Sequence, residues 1–287
     1  MKLITCRLGS TEHIGVLAAD GSGFLPLPVP DMNTLIETMS PADLRSAVTA
    51  AERGSALALS DVELLAPIPH PRQDVLCLGM NYRAHEAEAA RYSADAFTKE
   101  TPAAVYFSKR VSEAGKPDGV IPRHAGLTDR LDYEAELAVV LGRAARDVKA
   151  ADAADYIFGY TILNDVSARD LQTGHKQWYF GKSLDGFTPM GPVLVTADEV
   201  AYPPALEITC RVNGELRQQS NTALLITSIG QILEELTAGM TLLPGTIIAT
   251  GTPAGAGMGF DPPKFLQSGD IVECAIEGIG TLRSTVV

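Results

Sequence analysis

Apolar positions along the chain recur mostly with a period of two or in short unbroken runs, which is the patterning of strands. Residues 3–8 and 13–18 are the first two such runs, and Asp20-Gly21-Ser22-Gly23 supplies a turn between strand candidates. Residues 33–39 and 41–53 have helical spacing instead, with Ser40 and Pro41 as an N-cap and N1 pair at the head of the second. Ala66-Pro67-Ile68-Pro69-His70-Pro71 follows. Its alternating prolines predict a stiff, extended linker. A domain boundary is placed there, between a small N-terminal α+β domain over residues 1–70 and a larger domain over residues 71–287.

In the larger unit, β-branched apolar runs alternate with Gly and Pro at residues 74–78, 103–107, 134–141, 156–164, 192–195, 207–212, 246–250 and 271–276. Two helices stand out, over 82–92 and over 226–237, the second opened by Thr227-Ser228 and closed near Gly239. Strands dominate and do not alternate one for one with helices. The pattern therefore predicts an α+β fold, mostly β, on strongly curved antiparallel or mixed sheet. The chain shows no internal repeat and no low-complexity tract.

Composition narrows the function. The formal net charge of −12 over 287 residues argues against a nucleic-acid partner, which needs a basic face. It leaves an anionic substrate open, because a bound metal and a few placed cations reverse the local field. No run reaches the ~18 apolar residues of a membrane span, and the first residues carry no apolar leader, so no membrane partner and a cytoplasmic location are expected. Cys6, Cys77, Cys210 and Cys274 show no CxxC spacing. Their number alone allows two disulfides, but they are expected reduced in the interior.

The chemistry concentrates in two acidic segments. In Asp132-Tyr133-Glu134-Ala135-Glu136-Leu137-Ala138-Val139-Val140-Leu141, Glu134 and Glu136 leave the same face of a strand beside an apolar run. Two carboxylates so close repel unless a cation or a shared proton sits between them. Asp165 ends another apolar run, just before Val166-Ser167-Ala168-Arg169-Asp170. Three carboxylates without a Cys or His ligand suit a hard cation, Mg²⁺, Mn²⁺ or Ca²⁺. Spacing alone equally allows a solvated strand face paired to Lys or Arg.

His85 and Glu88 lie three apart on the helix of residues 82–92, so a carboxylate can orient the imidazole for general-base work. A surface histidine in a polar helix is the alternative. Lys182, in Phe180-Gly181-Lys182-Ser183, lacks the upstream glycines of a phosphate-binding loop; it fits a substrate carboxylate or an oxyanion, or a solvated surface. Thr252, in the glycine-rich loop of residues 249–257, is a further candidate. His175 lies near these segments; His124 reads as a loop residue.

The order of these blocks is more specific than any one of them. Gly79-Met80-Asn81-Tyr82 with His85 and Glu88, the Asp132 and Asn164-Asp165 segments, Gly181-Lys182-Ser183 with Gly191-Pro192, and Thr250-Gly251-Thr252-Pro253 occur in an order that resembles the fumarylacetoacetate hydrolase superfamily across residues 75–287. The resemblance implies a mixed β-roll catalytic domain behind a small N-terminal domain, usually a homodimer. It implies Mg²⁺ or Mn²⁺ on Glu134, Glu136 and Asp165, water activated by His85 with Glu88, and an enolate stabilised by Lys182. Tyr82, Arg169, Gln172, Tyr179 and Thr252 match segments that contact substrate.

The implied reaction is cleavage of a C–C bond in a 2,4-diketo acid, giving a 2-oxo acid and a carboxylic acid through a metal-bound enolate. The alternative on the same scaffold is decarboxylation of oxaloacetate-like acids, hydration or isomerisation of a 2-oxo-enoate, or keto–enol tautomerism. Departures from the family's pattern at Arg110, Leu184, Gly186 and Gly174-His175-Lys176 bear on the substrate, not on the metal site.

Overall fold

The structure, a computed structural model, describes residues 1–18, 21, 23–97 and 103–287; Asp20 and Ser22 of the expected turn lie outside the described residues. Its spine is an 11-stranded mixed sheet. The strand Ala135–Leu141 runs through the middle, antiparallel to Ile157–Asn164 on one side and to Ile247–Ala249 on the other. All seven of its residues are buried. The reason is in the sequence: Leu137, Val139 and Leu141 enter one core cluster, while Ala138 and Val140 on the opposite face enter another. A strand apolar on both faces must be covered on both.

From this centre the sheet grows two ways. Through Ile157–Asn164 it reaches Met190–Thr196. Through Ile247–Ala249 it reaches Val75–Gly79, in a parallel pairing, and then Val105–Lys109. A second, five-stranded sheet contains Glu207–Val212 and Glu215–Asn221. It packs Ile208, Val212, Val272 and Leu282 against the face of Leu137 and Val139. The α+β class expected from the pattern is the observed one.

The N-terminal strand Lys2–Leu8 pairs with Met190–Thr196, Leu3 opposite Leu194, so the strands of the first 64 residues extend the same sheet. The proline run is extended, as proline requires, but it is not an exposed tether. Ala66 and Ile68 are buried, and Thr5 Oγ1 donates to the Pro67 carbonyl at 2.7 Å. Proline has no N–H to satisfy, so such a run enters the interior with only its carbonyls needing partners.

Helix ends follow their caps. Ser40 caps Pro41–Ala51 through a capping box with Asp43. The last long helix is Ile229–Thr237, three residues shorter at its start than the pattern predicts, because Ser228 caps it and Ile226 and Thr227 donate to Asn81 instead. The helix predicted from residue 82 begins at Arg83, with Tyr82 at the N-cap position. The strand predicted over 103–107 is Val105–Lys109. That shift carries Lys109 into the interior. All four cysteines are buried free thiols.

Leu137 is fully buried where both sheets meet. Leu137→Ala should lower the unfolding free energy by about 2–5 kcal/mol. Leu224→Ala, at a 64% exposed position, should be near neutral. Denaturant titration of both variants checks this, and equal effects would contradict the assigned core.

Candidate metal and proton-transfer site

Two neighbouring strands deliver the acidic groups. Ala135 pairs with Asn164, and Asp165 N–H donates to the Glu134 carbonyl at 2.8 Å, so Glu134 and Asp165 emerge together at one end of the pair. Asn164 Oδ1 accepts from the Glu134 N–H at 3.0 Å and fixes the register there. Oxygens of Glu134, Glu136 and Asp165 lie within 4.8 Å of one another, all three residues buried.

Three cations enter the same volume. Lys182 Nζ donates to Glu134 Oε2 at 2.8 Å and to Asp165 Oδ2 at 2.7 Å. Lys109, fully buried, donates to Asp165 Oδ1 and, at 3.0 Å, to the Val166 carbonyl. Arg169 spreads its N–H groups over Glu134 Oε1 at 2.6 Å, Asp132 Oδ2 at 2.9 Å and Gln172 Oε1 at 2.9 Å. Asp132 also accepts from the backbone of Tyr133, Gly257 and Met258. Counting these groups, four buried carboxylates face three buried cations, one negative charge in excess.

The excess sits on Glu136. Among the described residues no cation lies within ion-pair distance of it, and its recorded hydrogen bond comes from the Gly251 N–H at 2.8 Å. Gly251 holds φ +98, and a Cβ there would stand 2.7 Å from that of Asn81, so glycine is required for the approach. Burial first, then the charges of Asp165 and Glu134, push the Glu136 carboxyl well above its ordinary range. Burial also acts on Glu134, but there Lys182 and Arg169 win and hold the carboxyl low. Lys109 is pulled down by burial despite Asp165; Lys182 is raised, since Asp165 and Glu134 outweigh its burial. An all-oxygen trio with one uncompensated carboxylate fits a hard divalent cation. Such an ion would turn the local excess from −1 to +1, which suits an anionic substrate.

The histidine is placed from the other side. His85 Nδ1 lies 3.1 Å from Glu88 Oε2 on the helix Arg83–Tyr92, and the Gly255 N–H donates to Glu88 at 3.0 and 3.2 Å. A carboxylate only accepts, so Nδ1 carries a proton, and in the neutral imidazole the lone pair is on Nε2. His85, Glu134, Glu136, Arg169, Gln172, Lys182 and Thr252 line one tight cavity with about 10 Å³ of free space, with Leu78, Met80, Phe97, Phe107, Trp178 and Met258 as its apolar wall. A larger groove of about 530 Å³, between Met39, Arg45, Arg143 and Asp198, contains none of these groups; chemistry, not size, marks the site.

The predicted site residues thus divide. Eight of them meet at the cavity: His85, Lys182, Glu134, Glu136, Arg169, Gln172 and Thr252 in its lining, with Asp165 held against Lys182. Glu88 stands directly behind His85. Tyr82 is buried without a partner for its hydroxyl and lines a neighbouring groove beside Arg83 and Pro253, not the cavity. Burial and the Glu136 charge push that phenol upward. Tyr179 is 41% exposed and meets Arg110, so the structure does not bring it to the cluster. His175 is exposed against Phe180, and His124 Nε2 meets the Asp185 carbonyl.

Four further residues take part in the site. Asp132 anchors Arg169, and Lys109 holds Asp165. Gln218, on the second sheet, accepts from Ala135 N–H at 3.0 Å and donates to Thr252 Oγ1 at 2.8 Å. Trp178 closes the apolar side. Asp132 stood in the quoted acidic segment, two residues before Glu134, and could have been found from that; the other three are brought in by long-range contacts.

Because Glu136 binds its proton more tightly folded than unfolded, metal-free protein should lose stability as pH rises above the ordinary glutamate value of 4.5. A divalent ion must displace that proton, so Mn²⁺ affinity should increase with pH and binding should release protons. Calorimetry in buffers of different ionisation heat measures both. Affinity that stays constant from about pH 5 to pH 8 would contradict the assignment.

The chain was compared with known proteins. The family model "Fumarylacetoacetate (FAA) hydrolase C-terminal" matches residues 74–287. Oxaloacetate tautomerase YisK of Bacillus subtilis (strain 168) is 48% identical over 228 residues, 79% of this chain and 74% of that protein. The structure of a fumarylacetoacetate hydrolase from psychrophilic Exiguobacterium antarcticum is 40% identical, with a TM-score of 0.83 over 100% of this chain and 99% of that one. That of 5-carboxymethyl-2-hydroxymuconate delta-isomerase from Mycobacterium smegmatis is 34% identical, with a TM-score of 0.76 over 100% and 99%. These relatives bear hydrolase, isomerase and tautomerase names, and the chain belongs to the fumarylacetoacetate (FAA) hydrolase family.

Proposed function

We propose that the protein is a divalent-metal-dependent enzyme that moves a proton at the carbon beside the 2-oxo group of a small 2-oxo diacid, keto–enol tautomerisation of the oxaloacetate type. The observation that carries this reading is the cavity. With about 10 Å³ of free space it holds no more than a water molecule as it stands, far below the ~300–1,000 Å³ of drug-sized sites. It brings the His85 imidazole together with the carboxylates, and walls this tight disfavour a long diketo acid more than a four-carbon one. The tautomerase relative supports the same choice.

A divalent ion held by Glu134, Glu136 and Asp165 would supply Lewis acidity and positive charge beside the 2-oxo group. Among the protein's own groups, His85 Nε2 takes the proton from C3 and returns it in the reverse direction. Glu88 keeps Nδ1 protonated and stabilises the imidazolium that forms. Lys182 Nζ stands ready to donate to the oxygen that gains charge as the C–H bond breaks. Gln172 and the Thr252 loop orient the acid, the latter braced by Gln218. Arg169 acts chiefly as a clamp, since Asp132, Glu134 and Gln172 already occupy three of its N–H groups. Phe97, Trp178 and Met258 exclude bulk water.

The second reading is hydrolysis of a C–C bond in a short acylpyruvate. The same His85–Glu88 pair favours it, because an imidazole so held can activate water. The division into residues 1–70 and 71–287, the homodimer, magnesium or manganese as the resident ion and a cytoplasmic location belong to the proposal as family expectations; the family match from residue 74 supports the first. Among the described residues no helix is long and apolar enough to cross a membrane.

The test is proton NMR of Mn²⁺- or Mg²⁺-loaded protein with oxaloacetate in D₂O and with acetylpyruvate. Faster enol–keto exchange and C3 deuteration without pyruvate support the tautomerase. Pyruvate and acetate from acetylpyruvate would shift the assignment to hydrolase, and pyruvate with CO₂ from oxaloacetate to decarboxylase. His85→Ala should lower kcat about 10²–10⁴-fold while Mn²⁺ binding stays unchanged. Near-normal turnover by that variant would refute the base role.

A further inference from the structure

The chain's single tryptophan is Trp178. It is half-buried within an otherwise exposed stretch, since residues 174–177, Tyr179 and Phe180 all face solvent. Its indole turns inward onto the cavity. The ring centroid lies 5.4 Å from that of Phe97 and 5.3 Å from that of Phe107, the latter edge to face. Phe107 in turn stands 5.2 Å from Lys182 Nζ. The indole thus joins a loop at the surface, the short helix Ala94–Phe97 and the catalytic lysine's strand-side neighbour in one aromatic contact.

Gly79 makes this seat. It ends the strand Val75–Gly79 with a φ outside the positive range, so its backbone does not require glycine. The side chain is excluded by the indole alone: a Cβ on Gly79 would lie 2.3 Å from Trp178 Cζ3 and 2.7 Å from Cη2. The glycine is a notch cut to the width of one ring.

We propose that Trp178 is the size gate of this site. Seated in the Gly79 notch, its indole fills the space that the tail of a longer 2-oxo acid would need. It restricts the site to four-carbon acids and swings outward with its exposed loop to admit them. The inference rests on the reading of the cavity as a 2-oxo-acid site, but it concerns which acids enter, not which bond changes.

Ligand binding tests it without turnover. In Mn²⁺-loaded protein, calorimetric affinities for oxalate and for 4-phenyl-2,4-dioxobutanoate are compared in the wild type, Trp178→Phe, Trp178→Ala, Gly79→Ala and the double variant. Trp178→Ala should raise the affinity for the phenyl acid relative to oxalate by roughly tenfold or more, the worth of vacated apolar space, with Trp178→Phe between. Gly79→Ala alone should displace the ring. That shifts the emission of the sole tryptophan to the red even in metal-free protein, and oxalate affinity falls. In the Trp178→Ala background Gly79→Ala should have no further effect on affinity, because the collision is gone.

A phenyl-to-oxalate ratio unchanged in Trp178→Ala overturns the gate. So does a Gly79→Ala effect of equal size with and without the indole. Circular dichroism separates misfolding from gating, and Trp178→Phe retains a ring if Trp178→Ala unfolds. Should the ratio shift while no oxaloacetate is tautomerised, the gate stands and the reaction assignment falls; oxaloacetate turnover with an unmoved ratio gives the reverse.

Discussion

The structure is organised around one electrostatic constraint: four carboxylates and three cations are buried together at the end of an apolar strand. None of these charges is tolerable there alone. Glu134 and Asp165 are stabilised by Lys182, Lys109 and Arg169, and Asp132 by Arg169 and three backbone N–H groups. Glu136 is the member left over. Its strand neighbours Ala138 and Val140 continue the same face into an apolar core, and among the described residues no side-chain cation pairs with it. Without an ion that carboxyl holds its proton; a small divalent cation is what three oxygen donors could take in the proton's place.

The rest of the fold can be understood as holding that cluster still. Asn164 fixes the register at Glu134, Gln218 reaches from the second sheet to both Ala135 and Thr252, and Asn81 ties the start of the His85 helix to Thr227 and Thr250. Each of these amides bonds backbone or hydroxyl groups from segments far apart in sequence. They make the positions of His85 and of the acidic trio dependent on one another. Rigidity of this kind is what the proposed proton transfer needs, since a base must be held at hydrogen-bond range of the carbon it serves. The Glu88 carboxylate extends the same bracing to the imidazole through the Gly255 loop. The other wall is built differently, with an exposed stretch carrying the indole.

Much of the site was legible as local pattern. Glu134 and Glu136 share a strand face because the side-chain period is two, and His85 meets Glu88 because the helical period brings i and i+3 together. Both relations are short-range and survive in any fold that keeps the element. The buried run after Glu136 likewise announced a central strand. Ser40 and Ser228 announced helix starts, since a cap satisfies backbone donors that have no other partner.

Other features exist only in the folded chain. Lys109 is 56 residues from Asp165, and nothing near it in sequence distinguishes it from a surface lysine. Arg169 looked free to grip substrate, yet its guanidinium is mostly occupied by Asp132, Glu134 and Gln172. Tyr179 and Trp178 are adjacent, but in a four-residue turn one step of phase decides that the indole faces the cavity and the phenol faces solvent. The proline run read as a stiff, extended linker and is buried in part, because a strand from the chain's start pairs with Met190–Thr196 beside it. The sequence by itself determined the elements, the periodic pairs and the chemical kind of the site, all set by interactions within a few residues. Which cations balance the carboxylates, how large the cavity is and what closes it were decided by tertiary structure, because those depend on contacts whose partners only long-range pairing brings together.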